Sequence, residues 1–299
     1  METATGEQLL RLPDGFDRFV SQTEPGDEVL VCLHGGPGAD HRTLLPLRCI
    51  ADEELQVVLY DQLGSGRSAR PDDGGLWTVE TFVAEFEMLL DELGLDRVHL
   101  LGQSWGGMLG LECALAHQDR IRSLILCDTM ASTQAAVDGY GEILARAPET
   151  SRAAVAADHE FDPEDGSELG LGLLDLYATH VRRCHPFDLE RSRREFLEFV
   201  VPLVDDIGPA YEAMWGRSEF SPSGVLRDWD VTDRLGEIEV PTLITCGAHD
   251  ELTPESCHRP IAEGIPHARW LILGRSSHMA FHESEASFLL AAIRAFVLE

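Results

Sequence analysis

Three residues of this chain carry the side chains that nucleophilic catalysis needs, in an order that makes the chemistry specific. Ser104 lies in Gly102-Gln103-Ser104-Trp105-Gly106, Asp250 in Gly247-Ala248-His249-Asp250-Glu251, and His278 in Ser276-Ser277-His278-Met279. A serine hydroxyl is a poor nucleophile at neutral pH. It needs a base within hydrogen-bond reach and a third group that orients the base. G-x-S-x-G between a strand and a helix is the turn that presents such a hydroxyl to both. The tight turn exposes the hydroxyl, the glycines leave room for close backbone approach, and the free N–H groups and positive dipole end of the helix face the same spot. Here the apolar run 98–101 precedes the motif and a helical pattern over 108–116 follows it.

The elements that must position these residues follow a regular plan. Residues 8–21 alternate around Pro13-Asp14-Gly15, which predicts an opening β-hairpin. Apolar runs at 29–33, 57–60, 98–101, 124–127, 242–246 and 270–273 read as buried strands. Between them come a short helix around 42–50, a helix capped by Thr78 and stopped by Gly94, and a final amphipathic helix over 284–297. Its apolar face is Val79, Phe82, Val83, Phe86, Leu89, Leu90 and Leu93 for the Thr78-capped helix. Strands alternating with helices predict a mostly parallel sheet covered on both faces, with sites at the carboxyl ends of the strands. His34, Asp61, Ser104 and Asp128 all lie at such ends.

Residues 131–223 differ. They show helical patterns but no buried strand, and Pro163, Gly166, Pro186, Pro202 and Pro209 interrupt them. The expected organisation is a core of 1–130 and 224–299 with 131–223 inserted as a helical cap.

Asp250 and His278 each follow a strand, and the order Ser, Asp, His is that of the α/β-hydrolase fold. Asp128 also ends a strand and is the alternative acid, although it precedes the cap. Among the other histidines, His99 and His117 sit on a strand and a helix, where structural roles are expected; His249 and His282 fail the order or the loop position. A tetrahedral intermediate needs two backbone donors. Trp105 N–H supplies one, and Gly36 in His34-Gly35-Gly36-Pro37-Gly38 is chosen for the other, with His34 read as a structural hydrogen-bonding residue.

H-G-G-P-G at 34–38, D-Q-x-G-x-G-x-S at 61–68, G-x-S-W-G-G at 102–107, G-x-x-D-E-x-T-P at 247–254 and the late His278 together resemble the proline iminopeptidases. Tricorn-interacting aminopeptidases and amino-acid amidases look similar. The resemblance covers nearly all of the chain outside the cap. It implies a serine aminopeptidase that releases an N-terminal proline or small apolar residue through an acyl-enzyme. It also implies two glutamates that hold the substrate's α-amino group, here Glu251 beside Asp250 and Glu219 in Trp215-Gly216-Arg217-Ser218-Glu219-Phe220. The substrate would be a small peptide or an amino-acid amide. An amidase, carboxylesterase or lactonase of the same fold is the alternative, and a ligand-binding relative without activity would need a broken triad. No metal or cofactor is implied, since no zinc-ligand spacing occurs.

Composition limits the remaining classes. With 299 residues, 44% hydrophobic, the chain can bury a large core. Neither a run of 18 apolar residues nor a charged-then-apolar start is found, so no membrane span or secretory signal is expected and a cytoplasmic location is. The seven cysteines form no C-x-x-C pair and read as buried free thiols of a reducing compartment. The 53 acidic and 23 basic residues give −30, with no lysine, which disfavours nucleic acid. Two readings of that composition stand. A GC-rich genome accounts for arginine in place of lysine; a halophilic host accounts also for the acidic surplus. Under the second, the melting temperature and activity should rise as KCl goes from low to molar concentration, where the Debye length shrinks to about 3 Å and self-repulsion is screened. Full activity and equal stability at low salt would favour genome composition.

Overall fold

The computed structural model of the protein describes residues 6–159, 161–162, 164–181, 188–204 and 207–299. Eight strands form one sheet: β1 (Gly6–Arg11), β2 (Asp17–Gln22), β3 (Glu28–Leu33), β4 (Leu55–Tyr60), β5 (Val98–Gln103), β6 (Ile121–Cys127), β7 (Thr242–Gly247) and β8 (Arg269–Leu273). Their spatial order is β1-β2-β4-β3-β5-β6-β7-β8. The β1–β2 and β2–β4 pairs are antiparallel, and every other pair is parallel. The hairpin and all six apolar runs are thus strands. Every residue of β4, β5 and β7 is buried, as a parallel sheet covered on both faces requires.

Ten α-helices accompany the sheet among the described residues: α1 (Val79–Leu93), α2 (Trp105–His117), α3 (Thr133–Arg146), α4 (Glu149–Ala156), α5 (Glu168–His180), α6 (Leu189–Glu195), α7 (Val201–Val204), α8 (Gly208–Trp215), α9 (Glu255–Gly264) and α10 (Ala286–Val297). Residues His41–Ile50 form a 3₁₀ helix with Pro46 inside it, where the sequence predicts an ordinary helix. The alternation of side chains along β3 divides the core in two. Val31 and Leu33 join Phe86 and Leu89 of α1 and Leu109 of α2 on one face. Leu30 and Cys32 join Leu44 and Leu47 of the 3₁₀ helix and Leu289 and Ile293 of α10 on the other.

The described residues between β6 and β7 contain helices α3 to α8 and no strand. Pro163 and Pro186 lie outside the described residues, as does Cys184. Cys32, Cys113, Cys127, Cys246 and Cys257 are buried free thiols, whereas Cys49 is exposed. Among the described residues no helix is long and apolar enough to cross a membrane.

Helix α1 forms as the pattern predicts. Thr78 Oγ1 accepts the Thr81 N–H at 3.2 Å, and Gly94 ends the helix with φ 68°. Its buried face also carries Glu85, a charge that the apolar pattern does not reveal. Glu85 Oε2 accepts Arg18 Nε of β2 at 2.6 Å and Leu63 N–H at 3.0 Å. Both side chains of the ion pair are fully buried. Removing one partner strands the other charge in a dry site, which costs about 3–5 kcal/mol. Glu85→Ala should therefore lower the unfolding free energy by about that amount; urea titration of both proteins measures it, and a change within about 0.5 kcal/mol would assign the pair no structural weight.

Candidate active site

Ser104 is the N-cap residue of α2 and holds φ 56°, ψ −122°. A side chain rarely adopts such a backbone, and the surroundings enforce it. Its N–H donates to Cys127 O at 3.0 Å, and its carbonyl accepts Thr129 Oγ1 at 2.7 Å. A Cβ on Gly102 would lie 2.0 Å from Gly106 O, and one on Gly106 2.0 Å from Leu33 O. The two glycines of the motif are therefore steric necessities, because strand β3, strand β5 and helix α2 meet there in backbone contact.

His278 Nε2 stands 3.1 Å from Ser104 Oγ, and His278 Nδ1 stands 2.9 Å from Asp250 Oδ2. Asp250 accepts three further hydrogen bonds, from Leu252 N–H, Thr253 N–H and Thr253 Oγ1. Burial opposes its charge, but His278 and these donors outweigh burial and hold the carboxyl below its ordinary value. The Nδ1–H is thereby directed at Asp250, and the neutral ring turns the Nε2 lone pair to the serine hydroxyl. Burial would lower the pKa of His278; the Asp250 carboxylate outweighs it, with Asp128 and Glu219 adding to the same effect, and the ring rises to about 9. Ser277 fastens the histidine loop by donating both its N–H and its hydroxyl to Glu283. Asp128, the alternative acid, accepts Gly247 N–H at 3.0 Å and so holds the end of β7.

The loop after β3 passes directly over Ser104. A Cβ on Gly35 would lie 2.8 Å from Gln103 Oε1 and 3.2 Å from Ser104 Cβ. Gln62 ties this loop to the elbow. It donates its N–H to His34 Nε2 and its Nε2 to His34 O, both at 3.0 Å, while its Oε1 accepts Trp105 Nε1 at 2.8 Å. His34 Nδ1 donates to Gly35 O at 2.9 Å. With Nε2 accepting and Nδ1 donating, His34 must be neutral, and complete burial lowers its pKa accordingly. This is the structural role expected of it. Trp105 opens α2, so its N–H has no intrahelical acceptor and is free for a substrate oxygen. Asp61 serves the neighbouring turn: Oδ1 accepts His41 N–H and Nδ1, and Oδ2 accepts Arg67 N–H.

Ser104, His278 and Gly36 open into a cavity of about 600 Å³. One wall is aromatic, with Phe161 against Tyr177 (centroids 4.8 Å apart) and Phe196 (6.3 Å). Glu219 reaches the cavity. Burial pushes its carboxyl up to about 7, against the pull of His278, and Tyr211 OH lies 3.4 Å from its Oε2. Glu251 does not join it. Its Oε1 accepts Arg146 Nη2 of α3 at 2.7 Å and its Oε2 contacts His180 of α5, outside the described cavity lining. These contacts with Arg146 and His180 hold the Glu251 side chain toward α3 and α5. Glu212, on the wall through α8, was not singled out in the sequence, where nothing sets it apart from other exposed acids.

Comparison with known proteins gives the family. Residues 28–285 match the alpha/beta hydrolase fold family. The proline iminopeptidase of Lactiplantibacillus plantarum is 33% identical over 92% of this chain and 93% of its own. That of Levilactobacillus brevis is 36% identical over 87% and 85%. The crystal structure of the Mycobacterium smegmatis proline iminopeptidase superposes with a TM-score of 0.80 at 31% identity, covering 98% of each chain. With its nucleophile elbow, its loop order and these similarities over almost its whole length, the chain belongs to the proline iminopeptidase family of α/β hydrolases.

Proposed function

We propose that this protein releases an N-terminal proline or small apolar residue from short peptides, with Ser104, His278 and Asp250 as the catalytic triad. The observation that carries the reading is the hydrogen-bonded series Ser104–His278–Asp250 opening on a cavity whose wall bears Glu219. Residues 131–223 act as the cap that supplies this wall, over a core of 1–130 and 224–299. Ser104 Oγ attacks the carbonyl carbon while His278 Nε2 takes the hydroxyl proton. The N–H groups of Gly36 and Trp105 hold the oxyanion. Collapse breaks the C–N bond, and His278 returns the proton to the leaving amine. Water then attacks the acyl-enzyme by the same route. Glu219 holds the substrate ammonium, since a cation entering a dry cavity needs a carboxylate in contact. Glu251, held by Arg146 and His180, braces the Asp250 loop against α3 and α5 and supports amine binding through that loop. The acidic, lysine-free surface suits a halophilic host and a cytoplasmic location.

Ser104→Ala should lower kcat by about 10⁶-fold while the protein stays folded, the loss that removal of a triad nucleophile brings. A serine-directed phosphonate should label the wild type alone. Wild-type turnover by the variant would exclude the triad.

Amine recognition has its own test, kcat/KM for a prolyl anilide, its N-acetyl counterpart and a simple acyl ester. Glu219→Gln should cost about 2–3 kcal/mol on the free amine and much less on the ester, with a smaller discrimination in Glu251→Gln. Equal cleavage of the acetylated and free anilides by the wild type would replace the aminopeptidase reading with the esterase one.

The pH profile follows from the two raised groups. Raised values mean that neutral His278 and ionised Glu219 both accumulate as pH rises, His278 through about 9 and Glu219 through about 7. The acid limb of kcat/KM should therefore lie above the ordinary histidine value of about 6.5. Loss of the substrate's ammonium proton forms the alkaline limb. An ester without an amine should show the acid limb only; an alkaline limb persisting with the ester would assign it to the enzyme instead.

A further inference from the structure

The cavity wall carries a cation that the reaction as described does not use. Helix α8 ends at Trp215, and Gly216 turns the chain with φ 92°. No larger residue fits this turn, because a Cβ there would lie 2.1 Å from Ser223 Oγ. The turn is also fastened from behind: Ser223 N–H and Gly224 N–H both donate to Trp215 O, at 2.8 and 3.1 Å. Beyond it, Ser218 is buried and accepts Phe220 N–H through its hydroxyl, while Arg217 and Glu219, on either side, both reach the cavity. Among the described lining residues Arg217 is the one arginine. Its side chain is 55% exposed, and its ion pair with Asp158 is long, at 4.0 Å.

We propose that Arg217 forms a subsite for the C-terminal carboxylate of the leaving peptide, so that the preferred substrates are free, zwitterionic di- and tripeptides. The inference rests on the proposed contact between Glu219 and the substrate ammonium. Opposite charges on one fixed loop, both reaching the same cavity, therefore match in sign the two ends of a short free peptide. The guanidinium fork suits a carboxylate, which it can bind through two parallel N–H groups. The need for it is electrostatic. A chain with net charge −30, and with Glu212 and Glu219 on this wall, repels an anionic leaving group unless a cation meets it. Half-exposure of Arg217 sets the pair near the solvent side of the cavity, the side from which the released peptide departs.

The test compares a prolyl dipeptide, the same dipeptide with a C-terminal amide, and a prolyl anilide, in the wild type, Arg217→Gln and Arg217→Lys, at one pH and one salt concentration. The wild type should favour the free acid over the amide by about three- to tenfold in kcat/KM, a span fitting a half-exposed charge pair. In Arg217→Gln that ratio should fall to near one, through a higher KM for the acid. Arg217→Lys should keep part of the ratio, as a point charge without the fork. A wild-type ratio near one, or a ratio unchanged in Arg217→Gln, would overturn the subsite. Cleavage of the anilide separates the two readings: if the anilide is cleaved while the ratio is flat, only the Arg217 subsite fails, and if no free-amine substrate is cleaved, the aminopeptidase reading fails and takes the subsite with it.

Discussion

The structure depends on tying the loop after β3 to the start of α2, and the side chain of Gln62 does this. Gly36 lies on the loop after β3, and Trp105 lies at the start of α2 after β5. Neither segment fixes the other by chain connection. Gln62, at the end of β4, bonds to His34 through its own N–H and its amide nitrogen, and to Trp105 through its amide oxygen. All these groups are buried, so an unmade bond would leave a desolvated donor or acceptor at a cost of about 1–3 kcal/mol. The network holds as a whole or loosens as a whole. Such rigidity is what an oxyanion site requires, because donors fixed in advance need no reorganisation when charge develops. Asp61, just before Gln62 in the chain, anchors the start of the 3₁₀ helix at His41.

Much of this arrangement was legible in the sequence, and physics explains which part. Buried parallel strands are continuous apolar runs, so β3 to β7 announce themselves; β8 is also an apolar run but, at the sheet edge, leaves Ile272 exposed. The loops that bear Ser104, Asp250 and His278 are legible in this way, and the fold brings the three side chains together. Features that depend on a partner far along the chain were not. Glu85 falls among the apolar positions of α1, and only Arg18 on β2 makes its burial tolerable. Glu251 stands beside Asp250 in the chain, but neighbours along a loop face different ways, and Arg146 and His180 arrive from helices whose packing no local pattern encodes. Pro46 did carry a signal for the His41–Ile50 segment, since a residue without an N–H disfavours an α-helical ladder.

Charge around the histidine follows from the same crowding. Asp250, Asp128 and Glu219 all act on His278 and favour its protonated form. That is costly for a general base, which must be neutral to accept a proton. A substrate ammonium seated at Glu219 would cancel the contribution of that carboxylate. Under the proposed function, the substrate ammonium would favour the neutral histidine, and a blocked amine would leave it more firmly protonated.

The bond from Trp215 Nε1 to Gly36 O, at 3.0 Å, joins α8 to the H-G-G-P-G loop. A second join lies close by, where Gly38 packs so tightly on Ile207 O that a Cβ there would come within 2.0 Å of it. The helical segment and the loop are therefore one mechanical part, although the chain between them builds three strands of the sheet, β4, β5 and β6. Recombination has to respect this. A chimera that exchanges the helices alone, leaving residues 34–38 from another parent, would inherit a mismatched seam at the reacting carbonyl. The unit that can be transplanted is the helical segment together with the H-G-G-P-G loop.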